Sequence, residues 1–550
     1  MRKRKQENKL TLQAIAGTHV VALGWDMEEA DSQGVLGFAI RCTDHTENET
    51  YYLRGIKTFE DTDLGLAPGN LYSTRRQPLQ TFTWSDLTAQ PGHSYTYRVV
   101  ALRGTPADLQ KAESAEVSVT AEPEGGDTQV VWFNRGATGS QDYARDFHNQ
   151  DPDAVGDPAW EWLSRGLKEA MLRFIAQAQG AEWGLRVAAY EFEYEPVLEA
   201  LHQAHSSGAD VQIVYDARDD GVAAANREAA QRAGIEGLCR ERTKNKSAIS
   251  HNKFIVLLHG GAPVAVWTGS TNLTERGIFG HSNVGHSVED APVAQAYLDY
   301  WDQLHTDPKS TVLRPWDTTA SPTPAAGSLP APGTTAFFSP RSSLDLLEWY
   351  IDLAEQASSL LCITFPFGIS APFDPMLEVE MAAGLRYALL DAAGNQKGAK
   401  DKIDRLRSLT SNLFAIGNRV SLNTFDRWLK EKYPNLNKHA IWVHTKYMLV
   451  DPLGDDPIVV TGSANFSPAS VEENDENMLV IRGNRRVADI YLTEFFRLWK
   501  HHAFREWAAK APSAATARPQ YLKPDDTWRA IYYDPARAQS RQRQLFAGTL

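Results

Sequence analysis

The sequence predicts a multidomain chain: an N-terminal all-β sandwich, then an α/β fold built twice, its halves related by a pseudo-twofold axis. Three observations carry this expectation. Before residue 122, short β-rich runs alternate with turn signals. After residue 128, strands alternate with amphipathic helices. Finally, "SHNKFIVLLHGGAPVAVWTGSTNLT" (250–274) and "VHTKYMLVDPLGDDPIVVTGSANFS" (443–467) repeat one layout of histidine, lysine and Gly-Ser-x-Asn.

The β-rich runs are "HVVALGW", "LGFAI", "ETYYL", "LQTFTW", "SYTYRVVAL" and "AEVSVTA", which is the rhythm of a sandwich, with Trp25 placed to fill the space between its sheets. "EPEGGD" (122–127) marks a boundary, and "TQVVWF" opens the next unit as a strand. In "DPAWEWLSRGLKEAMLRFIAQA", Asp157 can cap a helix and Pro158 suits its first turn. "LRVAAYEF" and "VQIVYDA" are strands, and the first histidine stretch follows. "TTASPTPAAGSLPAPGTT" (318–335) has linker composition.

The order then repeats: strand "AFFSPR", helix "SSLDLLEWYIDLAEQA", strands "LLCITFPF" and "LRYALLD", and the second histidine stretch. Phe133 precedes His251 by nearly the interval that separates Phe338 from His444, which marks an internal duplication. The boundaries are 10–122 for the sandwich, 128–310 and 335–507 for the halves, 311–334 for the linker and 508–550 for a C-terminal tail whose aromatics suggest docking.

The 550 residues, 42% hydrophobic and 23% charged, suit several soluble domains. No run reaches the roughly 18 apolar residues of a membrane span, and the basic start leads into no apolar signal segment. Cys42, Cys239 and Cys362 form neither a disulfide framework nor a metal spacing, so a reducing, cytoplasmic setting is expected. A net charge of -13 argues against coating nucleic acid along the whole surface, yet permits a local basic cleft.

If "HTKYMLV" is a strand, His444 and Lys446 share a face, about 6.6–7 Å apart. The imidazole can then approach phosphorus while the ammonium neutralises a non-bridging oxygen. Gly462 frees the following turn, and Ser463 and Asn465 can donate to phosphate oxygens or orient the histidine. Two such halves put two histidines on opposite sides of one phosphorus, one neutral to attack and one protonated to assist the leaving oxygen.

These residues resemble the phospholipase D superfamily, whose signature is H-x-K-x4-D followed by G-S-x-N. The second copy matches fully at His444, Lys446, Asp451, Gly462, Ser463 and Asn465, with a downstream N-x-E at Asn474 and Glu476. The first matches at His251, Lys253, Gly269, Ser270 and Asn272, but Leu258 replaces the aspartate and His281 and Asn283 replace the N-x-E pair. "LTAQPGHSYTYRVVA" similarly resembles the strand-F corner of a fibronectin type III domain, with Tyr95 as the corner tyrosine. The superfamily resemblance implies a cofactor-free, metal-independent phosphodiesterase with a phosphohistidine intermediate, completed within one chain. With both acidic residues in the second half, His251 is expected to be the neutral nucleophile. His444, beside Asp451 or Glu476, is expected to hold the acid's proton.

Bland readings accompany these. Asp451 is as well a turn residue as a support. His281 and His286 flank Asn283 and suit structure or a substrate edge before a metal site, and Asp216, Asp219 and Asp220 suit a solvated loop. His501 and His502 are expected at the surface. Arg240, Arg242, Lys244 and Lys246 precede His251, and Arg427, Lys430, Lys432 and Lys438 precede His444. Clusters so placed would steer a polyanion, and nucleic acid is the favoured substrate. The apolar "ITFPFGISAPFDPM" (363–376) and the complete second motif favour the alternative, a phospholipase D acting on head groups. A silent site in a non-catalytic binding module is the third reading.

Overall fold

The computed structural model describes residues 1–66, 70–136, 140–218, 221–245, 248–394, 398–417, 443–510 and 521–550. The N-terminal region is two four-stranded antiparallel sheets. One runs Arg2–Glu7, Leu10–Ala16, Val21–Asp26, Thr83–Asp86, and the other Asp108–Thr120, Ser94–Thr105, Gly37–Asp44, Glu49–Tyr52. Trp25 is fully buried between them, edge-on to Phe38 at 5.4 Å. The Arg2–Glu7 strand adds an edge that the sequence reading, starting at residue 10, leaves out.

Two seven-stranded sheets follow. Counting each half's strands in chain order, both sheets run 1-7-6-5-2-3-4. In both, strands 2, 3 and 4 pair parallel and every other pair is antiparallel. A shared order with a shared mix of directions is the duplicated plan in three dimensions.

Shorter helices cover each sheet's outer face, for example Leu167–Ile175 and Glu195–Ser206 in the first half and Asp345–Glu355 in the second. The inner faces share one core with two long helices, Ala291–His305 and Arg485–Lys510. Tyr297, Tyr300 and Trp301 come from the first, and Tyr491, Phe495 and Phe496 from the second. Burial on both faces explains why the strands read as near-continuous apolar runs.

The sandwich is fused to this body. Ile15 and Ala22 enter the same core as the Arg485–Lys510 helix. The tail completes the join: Trp528 packs in the sandwich core and donates Nε1–H to the Val35 carbonyl, while Phe546 meets Phe496 at 4.9 Å. Two expectations change. The linker segment opens with a helix, Ser310–Ala320. His502 is fully buried, because the Arg485–Lys510 helix runs between the sandwich and the sheets and has little surface to spare.

Candidate active site

In each half the fifth strand starts at the motif, at Lys253 in one and Tyr447 in the other. The histidines therefore precede the ladder instead of alternating along it. Each lysine folds back so that Nζ donates to its own histidine's carbonyl, Lys253 to His251 at 2.5 Å and Lys446 to His444 at 2.5 Å. The Gly-Ser-x-Asn turns sit one strand over. A side chain at Gly269 would run into the Val284 carbonyl, and one at Gly462 into the Asn477 carbonyl, so only glycine permits this approach.

The halves meet at these turns and exchange partners. The His251 N–H donates to the Asp475 carbonyl at 2.9 Å, and the His444 N–H to the Ser282 carbonyl at 3.2 Å. Each of those residues precedes its half's downstream motif position. His251 Nδ1 thereby lies 3.0 Å from both carboxylate oxygens of Glu476, which belongs to the second half. His444 Nδ1 lies 2.8 Å from Asn283 Oδ1, which belongs to the first. Asn283 is pinned in turn: Nδ2 donates to the Gly277 carbonyl at 2.7 Å, and Oδ1 accepts from Ser270 Oγ at 2.8 Å. That oxygen is an acceptor, so His444 donates through Nδ1. Among the described residues, Nε2 of His251 and Nε2 of His444 make no hydrogen bond.

Burial dominates the electrostatics. His251 is pushed down to about 4 by desolvation, with Glu476 opposing and Lys253 and Lys446 adding to the shift. Desolvation, Lys446 and His281 hold His444 well below its ordinary value. Lys253 falls to about 8 by burial, and Lys446 falls well below its ordinary value through burial and the charge of Lys253. Burial opposes ionisation of Glu476, but the attraction of His251 and Lys253 wins and its pKa is lowered. Burial thus favours the neutral form of both imidazoles, while the bond from His251 and the charge of Lys253 favour the ionised form of Glu476. An anionic group between the lysines would raise all four cationic pKa values.

A family model described as "Cardiolipin synthase, PLD-like domain" matches residues 171–305 and 404–499, one segment in each half. The chain carries a phospholipase D-like domain twice. No curated protein matches it in sequence. Among solved structures it is similar to phosphatidylserine synthase from Haemophilus influenzae Rd KW20, at 13% identity and a TM-score of 0.45, over 62% of this chain and 85% of that one. It is also similar to Nuc, a phospholipase D family member from Salmonella typhimurium, at 27% identity and a TM-score of 0.21, over 25% of this chain and 84% of that one. Yeast tyrosyl-DNA phosphodiesterase matches at 13% identity and a TM-score of 0.32, over 57% and 88%.

The phospholipase D-like halves bring together His251, Lys253, His444, Lys446, Ser270, Asn283 and Glu476. Ser463 borders them, its Oγ accepting the Asn477 N–H at 3.0 Å. Asn474 accepts the Ile249 N–H at 3.1 Å and so helps hold the seam. Asn272 donates to Glu191 at 2.5 Å, and the side-chain oxygens of Asn272 and Asn465 are buried without a partner.

Four expectations are corrected. Asp451 does not reach His444. Its carboxylate accepts the N–H groups of Ser358, Ser359 and Leu360 at 2.7–2.9 Å, capping the start of the neighbouring strand at the far end of the sheet. The acidic partner belongs to His251, which reverses the premise that distinguished the two histidines. Arg242 lies at the seam instead of flanking a cleft. It is 3% exposed and bonded to Asp475 at 2.8 Å and Asp307 at 2.9 Å. Arg240 and Lys244 remain exposed. Lys246, Asp219, Asp220 and the cluster Arg427, Lys430, Lys432 and Lys438 lie outside the described residues. Asp216 is buried, not solvated, and accepts the Ser250 N–H at 2.9 Å.

Sequence reasoning missed Tyr190 and Glu191. Tyr190 lies 5.1 Å from the His251 ring and beneath Lys253 Nζ at 5.2 Å, and Glu191 adds negative charge felt by both lysines. The available signal was their place just past strand 2, since ligand sites in α/β sheets gather at strand ends. No group of three or more metal-ligating side chains stands together among the described residues. No helix among them is long and apolar enough to cross a membrane.

Proposed function

We propose that the chain hydrolyses phosphodiesters through a covalent intermediate on His251, with His444 moving the proton. The observation that carries this is the exchange of partners at Nδ1. Each histidine is anchored there by the opposite half, which leaves Nε2 as its reactive atom.

Attack by His251 Nε2 on phosphorus forms the N–P bond and breaks the bond to the leaving oxygen, which takes the proton carried by His444 Nε2. The ring of the intermediate is cationic, and Glu476 across from Nδ1 stabilises that charge. The histidine able to form a stabilised phosphoimidazolium is the one beside the carboxylate. Neutral His444 then takes a proton from water, whose oxygen attacks phosphorus and releases His251. His444 takes its proton for the first step from solvent, and the substrate's negative charge favours this by raising the lowered pKa on binding.

Nucleic acid is the favoured substrate. Arg240 and Lys244 stand exposed on the segment that leads into His251, and exposed Phe367 follows strand 2 of the second half, where a base could stack. The second reading is a phospholipid, favoured by the matched family's description as cardiolipin synthase and by the same exposed Phe367. We read the N-terminal sandwich as fibronectin type III-like, supported by its strand pairing and by Tyr95 Oη, which accepts the Gln90 N–H at 2.8 Å. Its proposed role is docking, in a cytoplasmic protein.

The test incubates the protein in excess chelator with labelled single-stranded DNA, duplex DNA, RNA and phosphatidylcholine vesicles. Cleavage of nucleic acid, inhibited by salt and lost in both His251→Ala and His444→Ala, is expected. Head-group release with nucleic acid untouched would transfer the reading to phospholipid.

A further inference from the structure

The buried histidine His281 has no role in the chemistry above. It is 7% exposed, and neither ring nitrogen has a hydrogen-bond partner. Its ring lies 5.1 Å from that of His444, at 56°. Buried polar atoms are almost always paired, so two orphaned nitrogens on one ring need an explanation.

Structure does not supply it, because the backbone here is held by other groups. Asn134 Nδ2 donates to the carbonyls of Ile278 at 2.7 Å and His281 at 2.6 Å, and Asn134 Oδ1 accepts the Asn283 N–H at 2.9 Å. The His281 N–H donates to the Arg276 carbonyl at 2.9 Å. The ring contributes nothing to this clamp.

The duplication provides an internal comparison. His281 stands two residues before Asn283, as Asn474 stands two before Glu476. Asn474 engages both ends of its amide, accepting the Ile249 N–H at 3.1 Å and donating to Glu476 at 3.5 Å. At the equivalent place the first half carries a ring whose polar atoms are idle and whose neighbour is the proton-transfer histidine.

We propose that His281 is a substrate-contacting residue that donates a ring N–H to an oxygen of the phosphoryl group on the His444 side. This rests on the phosphodiesterase reading above. Desolvation, Lys446 and Arg276 push His281 down to about 3, which favours the neutral ring as a donor. A fixed neutral donor stabilises the charge that the equatorial phosphoryl oxygens carry in the transition state.

The experiment compares full-length wild type with His281→Phe, His281→Ala and His281→Asn on bis(p-nitrophenyl) phosphate, with thermal melting alongside. His281→Phe keeps a packed ring without a donor. It and His281→Ala are expected to lower kcat by ~10–100-fold, with KM within about threefold and melting unchanged. His281→Asn restores a donor and is expected to recover part of the loss. His281→Phe within twofold of wild-type kcat overturns the proposal, as does a loss that only tracks unfolding. His444→Ala in the same assay separates the two claims. If it abolishes turnover, the phosphodiesterase reading stands whichever way His281 falls. If it leaves turnover intact, that reading fails first.

Discussion

Replacing Glu476 by glutamine tests the electrostatics of the site while keeping its shape. Glu476 is 1% exposed, and both oxygens lie 3.0 Å from His251 Nδ1. In the proposed mechanism the ring becomes cationic when Nε2 attacks. A full charge at about 4 Å and an effective dielectric of ~20 is worth ~4 kcal/mol. Glutamine keeps a neutral acceptor for Nδ1–H, and that bond retains about 1 kcal/mol. The net loss is ~2–4 kcal/mol, or roughly 30–1000-fold in kcat. The assay is steady-state turnover of a diester with a good leaving group, alongside a thermal melt to show that the variant is folded. A folded Glu476→Gln within threefold of wild type would refute the reasoning, since the carboxylate would then not act on the transition state.

Other outcomes follow from the same structure. Asp451→Ala is expected to lower stability by ~1.5–3 kcal/mol through lost charge-assisted bonds to 358–360, while turnover per folded molecule stays near wild type in active-site-titrated assays. Asp475→Ala leaves Arg242 buried beside Asp307 alone and is expected to cost about 3–5 kcal/mol in denaturant melts. Trp528→Ala is expected to cost ~3–5 kcal/mol and to loosen the sandwich from the body, read by limited proteolysis. Acid is expected to destabilise the fold. His251, His281 and His286 are pushed down by burial to about 4, about 3 and about 3, against 6.5 in the unfolded chain. As pH falls from 6.5 toward those values the unfolded chain binds protons that the fold refuses, so Tm drops, and a Tm flat from pH 7 to 4 would contradict this.

The fold was largely legible in the sequence because duplication is a long-range signal that single residues cannot blur. Similar intervals from Phe133 to His251 and from Phe338 to His444 point to corresponding strands, and the short apolar β-rich runs between them suit buried sheet. The pairing at the site was not legible. Motif spacing places Asp451 seven residues after His444, and the ladder carries it to the far end of the sheet. Glu476 looks local to His444 in the motif, but the pseudo-twofold turns it toward His251. Arg242 illustrates the same limit: charge runs are read as surface until a partner such as Asp475, distant in sequence, buries one member.

The central claim is that one site is completed across two halves with His251 as the covalent residue. The most direct measurement traps the intermediate. Wild type, His251→Ala and His444→Ala are quenched in alkali during turnover of a radiolabelled diester with an activated leaving group, and the label on the protein is mapped. An alkali-stable, acid-labile phosphohistidine at residue 251, retained or enriched in His444→Ala and absent from His251→Ala, is the expected result. Label at residue 444 in the His251→Ala protein would contradict the account and assign the covalent role to the other half.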